Sequence, residues 1–171
     1  MLSLLRSFEQ KPVGLDELRQ AAPPWCKVQL YDALPSKGTI QQYLGKHKAV
    51  IVLYLMHSKS GKRMSGVGHY AAVLRRRDKI EYFSSYGLAP EVEIHATHSK
   101  GRLIRLLGKS FTHNKVQLQG LRNSNTCARW AFARVMLIDL PVHKFIDLLR
   151  RSVTLRTADD VVAALTMLAI L

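Results

Sequence analysis

Gln119-Gly120-Leu121-Arg122-Asn123-Ser124-Asn125-Thr126-Cys127-Ala128-Arg129-Trp130-Ala131-Phe132-Ala133-Arg134 passes from a polar run through a cysteine into an apolar run. Trp130, Ala133 and Leu137 recur at helical spacing, with Phe132, Val135 and Met136 beside them, so the pattern predicts a packed helix. Ser124, Asn125 and Thr126 are residue types that cap helix starts, because their side chains accept bonds from the first free backbone N–H groups. Cys127 therefore stands where the helix begins. The positive end of a helix dipole lowers a thiol's pKa, and the thiolate is the nucleophilic form. Arg129 adds positive charge nearby. The competing reading is a buried cysteine in a core helix, since free cysteine is among the most buried residue types.

Outward from this stretch, 49–56 is apolar on both faces and rich in Val, Ile and Tyr, which predicts a central strand. Residues 57–68 read as a polar loop with Gly61, Gly66 and Gly68; 69–75 reads as a strand and 79–84 as its hairpin partner. Before these lie a short helix at 15–22 ended by Pro23-Pro24, a strand at 25–30 and a helix at 39–44 stopped by Gly45. After them come a helix at 101–107, a short strand at 115–118, the Cys127 helix to about 139, a helix at 142–151 and a last helix from 157 to 171. Residues 91–96 give no clear pattern. The order predicts one α+β domain over 1–171, not a doubly wound sheet.

Composition narrows the function. At 171 residues the chain is long enough for one core. Two cysteines, Cys26 and Cys127, are too few for a disulfide framework and fit an intracellular, reducing setting. No stretch approaches the roughly 20 apolar residues of a membrane span, and residues 1–10 make a poor signal peptide. Lys and Arg number 26 against 12 Asp and Glu, giving a net charge of +14, a field that favours polyanions such as nucleic acid. Arg75, Arg76, Arg77, Lys100, Arg102, Arg105 and Lys109 are the expected basic surface.

Of seven histidines, His69 stands out: it opens an apolar strand directly after a glycine-rich loop, in Gly66-Val67-Gly68-His69-Tyr70. A histidine beside a thiol can take its proton. His95, His98 and His113 have no cysteine or carboxylate set to complete a metal site, and His47, His57 and His143 read as solvated.

Taken together these pieces resemble the adenain-like cysteine proteases: the adenovirus protease, its relatives in large DNA viruses, virophages and Polinton-type transposons, and more distantly the SUMO-specific proteases. The resemblance spans roughly residues 30–140. It rests on Tyr31-Asp32-Ala33-Leu34-Pro35 with 40–44, on 49–55 followed by Gly68-His69-Tyr70, on Phe83-Ser84-Ser85-Tyr86-Gly87, and on Leu118-Gln119 with Asn125-Thr126-Cys127-Ala128-Arg129-Trp130. It implies a papain-like α+β fold, a small mixed sheet flanked by helices, with Cys127 as nucleophile, His69 as general base and Gln119 as oxyanion donor. It further implies an endopeptidase of viral structural precursors, working in the virion or in the infected-cell cytoplasm or nucleus. No cofactor is expected beyond activation by DNA or a peptide.

Two positions depart from that family. Its third catalytic member is an acid, and Ser84 stands there; a glycine usually follows its nucleophile, and Ala128 stands there. Glu81 is near Ser84 in sequence but belongs to the opposite strand face, and Glu91 reaches the site only if its loop folds back. Two alternatives remain at this stage: a deubiquitinase- or deSUMOylase-like peptidase, and a weakened protease fold serving as a basic nucleic-acid- or capsid-binding protein.

Overall fold

Ala49–His57 (β2) is the strand on which the molecule is built. The structure, a computed structural model, describes residues 7–8, 10–57, 63–97, 100–120, 125–151, 157–167 and 169–170. Around β2 lie β1 (Cys26–Leu30), β3 (Arg63–Arg76), β4 (Lys79–Ser84) and β5 (Phe111–His113). They form one mixed sheet in chain order, antiparallel through β2, β3 and β4 and parallel at both edges. The helices are α1 (Leu15–Ala21), α2 (Ile40–Leu44), α3 (Pro90–Thr97), α4 (Arg102–Leu107), α5 (Cys127–Met136), α6 (Val142–Arg151) and α7 (Ala158–Thr166). A 3-10 turn at Tyr31–Ala33 joins β1 to α2. Among the described residues no helix is long and apolar enough to cross a membrane.

The two-faced apolar pattern of β2 is used on both faces. Ala49, Ile51 and Leu53 pack with Tyr70, Ala72 and Phe83 against Trp130, Phe145 and Val162. Val50, Val52 and Tyr54 pack with Val73 and Tyr82 against Ile40, Leu44, Leu103 and Leu107. Helices thus cover both sheet faces, as in the expected α+β class. Phe145 meets Phe83 and Trp130 edge-on, at centroid separations of 5.6 and 6.3 Å.

Helix α5 is buried from Ala128 through Val135, not along one stripe. Two arginines make this possible. Arg134 holds Glu81 through two bonds of 2.7 and 3.0 Å and donates to the carbonyls of Leu137 and Leu140, closing the helix end against the sheet. Glu81 thus occupies the face opposite Ser84, as its place in the strand predicts. Arg129 donates to Thr166 and lies under the Phe8 ring.

Several expected boundaries change. Residues 63–68, read as loop, belong to β3. Their glycines suggested flexibility, but at Gly68 a Cβ would stand 2.6 Å from the Tyr54 carbonyl oxygen and 2.7 Å from Leu53, so glycine is needed for close strand approach. The late strand is Phe111–His113, not 115–118. Asn114 ends it by turning its side chain onto the Ser84 backbone, accepting from Ser84 N and donating to Ser84 O. Residues 91–96 lie within α3, which Pro90 opens. The Cys127 helix ends at Met136, before 139, and the last helix ends at Thr166, where the Thr166 hydroxyl donates back to Val162 O.

Candidate active site

Cys127 is the first residue of α5, as the sequence predicts, but the cap is not the expected one. Ser124 lies outside the described residues, and Asn125 donates to the Gln10 carbonyl. Thr126 is the N-cap without a side-chain cap bond; its hydroxyl donates to Asp159 of α7.

His69 sits on β3 opposite Tyr54 of β2 and is buried. Its imidazole is the side chain that lowers the pKa of the Cys127 thiol. His69 Nε2 lies 3.2 Å from Ser84 Oγ. Burial is the largest single influence on Cys127 and pushes its thiol up. His69, with the Tyr70 and Ala128 N–H groups, outweighs it and holds the thiol below its ordinary value. Cys26, buried on β1, shows the opposite: burial pushes its thiol up to about 12 against a weak opposing bond from Ile51 N–H.

Ser84 ends β4 and is fully buried. Its hydroxyl also accepts from Tyr86 N at 3.3 Å, and the Tyr86 ring lies against the imidazole at 4.9 Å between centroids. Glu91, the other candidate for this contact, is exposed in the first turn of α3. Ala128 has the helical backbone of α5 and is buried, so the position as built needs no glycine freedom.

Gln119 is buried and fixed by the neighbour of Ser84. Ser85 Oγ donates to its Oε1 at 2.7 Å, and Ser85 O accepts from Gln119 N at 3.0 Å. The amide is thereby oriented, Oε1 toward Ser85 and Nε2 away from it. Gly87 makes this approach possible: it has φ +69°, and a Cβ there would stand 2.6 Å from the Val116 carbonyl carbon.

A cleft of about 530 Å³ is lined by Val13, Leu15, Leu53, Leu55 and Tyr70 together with Cys127. Glu17 also lines it; its carboxylate accepts from Gly14 N at 2.7 Å, a bond that with the nearby Lys11 holds it below its usual range. Tyr70 donates to Val13 O, so the residue after the histidine fixes the segment forming the opposite wall. Sequence reading missed Val13, Leu15 and Glu17 as site residues, because α1 carries only an ordinary amphipathic pattern. It also missed Asn114 and Asp159.

The expected basic surface divides. Arg75, Arg76 and Arg77 share a second cleft, of about 390 Å³, with Lys46, Lys48, Ile138 and Asp139. Arg75 is half-buried and donates to Gly45 O and His47 O, and Arg102 donates to Asp32 O and Leu34 O, so both hold backbone. Lys100, Arg105 and Lys109 are exposed around α4 and line no part of that cleft. His98 lies outside the described residues. Among the described residues no three His, Cys, Asp or Glu side chains are grouped to hold a metal. The chain matches no protein-family model, and no curated protein matches it in sequence.

Proposed function

We propose that this protein is a cysteine peptidase of the adenain-like kind, an endopeptidase that matures viral-type structural precursors. The observation that carries the reading is the placing of Cys127 at the start of α5 with His69, itself held on Ser84, lowering the thiol's pKa against desolvation. His69 takes the thiol proton, and the thiolate attacks the peptide carbonyl. The tetrahedral oxyanion accepts from the Cys127 N–H and the Gln119 amide. As the tetrahedral intermediate collapses, His69 gives its proton to the leaving amine and the acyl-enzyme is left. Water, activated by His69, then hydrolyses the acyl-enzyme. The apolar cleft that Cys127 helps to line takes the chain on one side of the scissile bond. Cys127→Ala abolishes cleavage of a peptide library in this reading; full activity in that variant would refute it.

The net charge of +14 and the cleft of Lys46, Lys48, Arg76 and Arg77 support association with nucleic acid. Log affinity for duplex DNA should fall linearly with log salt, because each neutralised phosphate releases counterions. Reversing Arg76 and Arg77 should lower that slope by about 1 for each phosphate left without its cation, equally on all sequences. Arg75 and Arg102 are poor choices for this test, since each anchors backbone carbonyls. No dependence on salt would remove DNA from the proposal.

A further inference from the structure

Asp159 stands in a place its sequence context does not explain. It is one of two acids in the first turn of α7, where either would ordinarily favour the helix dipole or complete a capping box. Asp160 alone does that work: its carboxylate accepts from Thr157 N at 2.8 Å and Thr157 Oγ1 at 2.9 Å, while Thr157 Oγ1 accepts from Asp160 N. Asp159 is turned into the protein and buried. Its Oδ1 accepts from Thr126 Oγ1 and, at 2.7 Å, from Trp130 Nε1; its Oδ2 accepts from Gly120 N at 2.8 Å.

Those three donors belong to the two halves of the site. Thr126 immediately precedes the nucleophile, and Trp130 lies one turn along the same helix. Gly120 immediately follows the oxyanion glutamine. Residues 121–124 join the halves through the chain, but one carboxylate joins them through space. Both of its oxygens are used, one for each half. Carboxylate acceptors make stronger bonds than neutral ones, and buried bonds hold geometry more tightly. We infer that Asp159 is a positioning residue: its carboxylate sets the Gln119 amide in register with the Cys127 sulfur through the Gly120 and Thr126 contacts. The inference rests on the peptidase reading for the role of Gln119.

Asp159→Asn separates this from a merely structural tie. An amide oxygen can still accept from Trp130 and Thr126, but the amide nitrogen then meets the Gly120 N–H, donor against donor. The nucleophile half is kept and the oxyanion half released. Two reactions of Cys127 read the halves separately. With p-nitrophenyl acetate, a bond forms between the sulfur and the carbonyl carbon through an oxyanion, and p-nitrophenolate leaves with its electron pair. With iodoacetamide, sulfur displaces iodide and no oxyanion forms. Asp159→Asn should slow acetylation about 10-fold or more, the scale of a small misplacement of a reacting group, while alkylation of the folded protein holds although Tm falls with the weaker bonds. If the variant does not fold, Gly120→Ala replaces it, since its Cβ would stand 3.3 Å from Asp159 Oδ2 and press the carboxylate off the amide. An unchanged ratio of the two rates overturns the inference. So does an equal slowing of both rates with a fallen Tm, and so does a wild type that is not acetylated at Cys127. A wild type that is acetylated but cleaves no peptide overturns the peptidase reading and leaves Asp159 standing.

Discussion

Cys26 and Cys127 border the same core cluster, and burial acts on both in the same direction. Cys26 is surrounded by strand backbone: its thiol donates to Lys27 O and receives only a weak bond from Ile51 N–H, and its pKa goes up to about 12. Cys127 ends below the ordinary thiol value because a histidine and two N–H groups converge on its sulfur. The lesson is that a helix start beside a core does not by itself make a nucleophile. A dedicated partner from another element must overcome desolvation, and here β3 supplies it.

The strongest way to break this comparison is to remove that partner. In the wild type, Cys127 should react with iodoacetamide well below pH 9 while Cys26 stays silent. With a pKa of about 12, Cys26 at pH 8 is thiolate only on the order of one part in 10⁴. His69→Ala leaves the half-buried Cys127 without the imidazole that lowers its pKa and should lower its alkylation rate at pH 7 by about 100-fold or more. The pH dependence should move upward, toward that of Cys26, since what remains is mainly the desolvation that disfavours thiolate. Mass spectrometry of each cysteine against pH reads this directly. Equal labelling of both cysteines in the wild type would end the comparison and the functional reading with it.

A second, smaller effect concerns the other end of α5. Breaking the buried Glu81–Arg134 pair leaves an uncompensated charge, which costs about 3–5 kcal/mol of stability. Glu81→Gln should therefore lower Tm clearly while Cys127 in the surviving folded fraction alkylates at the wild-type rate. A slowed alkylation at constant Tm would mean that the helix end, as well as its start, tunes the thiol.

Much of this is legible where one residue type has one physical meaning. The apolar, β-branched run of β2 reads as a covered strand, and the helical spacing from Trp130 onward gives the Cys127 helix although the expected side-chain cap is not made. His69 stands out in sequence because a glycine-rich run precedes it, but it lies inside β3 and not at its start, and the reason for Gly68, the Tyr54 carbonyl against it, is not legible. What escapes depends on contacts between distant segments. Asn114 looks like a loop residue until Ser84 is placed beside it. Asp159 looks like a helix cap because Asp160 is one, and nothing local says which of the two turns inward. Val13, Leu15 and Glu17 become cleft wall only when Tyr70 pins their segment across from Cys127. The basic surface departs from expectation for the same reason: Arg75 and Arg102 are expected to face nucleic acid, and carbonyls from elsewhere in the chain claim them.

The subtlest difference between the two thiols lies one contact further out, at Ser84. Its hydroxyl meets His69 Nε2, so an imidazolium formed on proton transfer gets one neutral hydrogen bond, worth on the order of 1 kcal/mol. Ser84→Ala should cost about 5-fold in alkylation rate at pH 7, the rate equivalent of that bond. Ser84→Asp acts in the other direction. Tyr86 N–H and His69 Nε2 already point at the Ser84 oxygen, so a carboxylate there finds two donors. The charge favours imidazolium and raises the pKa of His69. Since thiolate–imidazolium is the reactive pair, it then persists to higher pH, and the alkaline limb of the pH–rate profile should shift upward. Glu91→Gln should change nothing, because Glu91 is exposed on α3. A greater loss from Glu91→Gln than from Ser84→Ala would show that the third contact comes from elsewhere. Abolished reaction in both Ser84 variants would show that its hydroxyl acts on the reaction itself, not only on the orientation of His69.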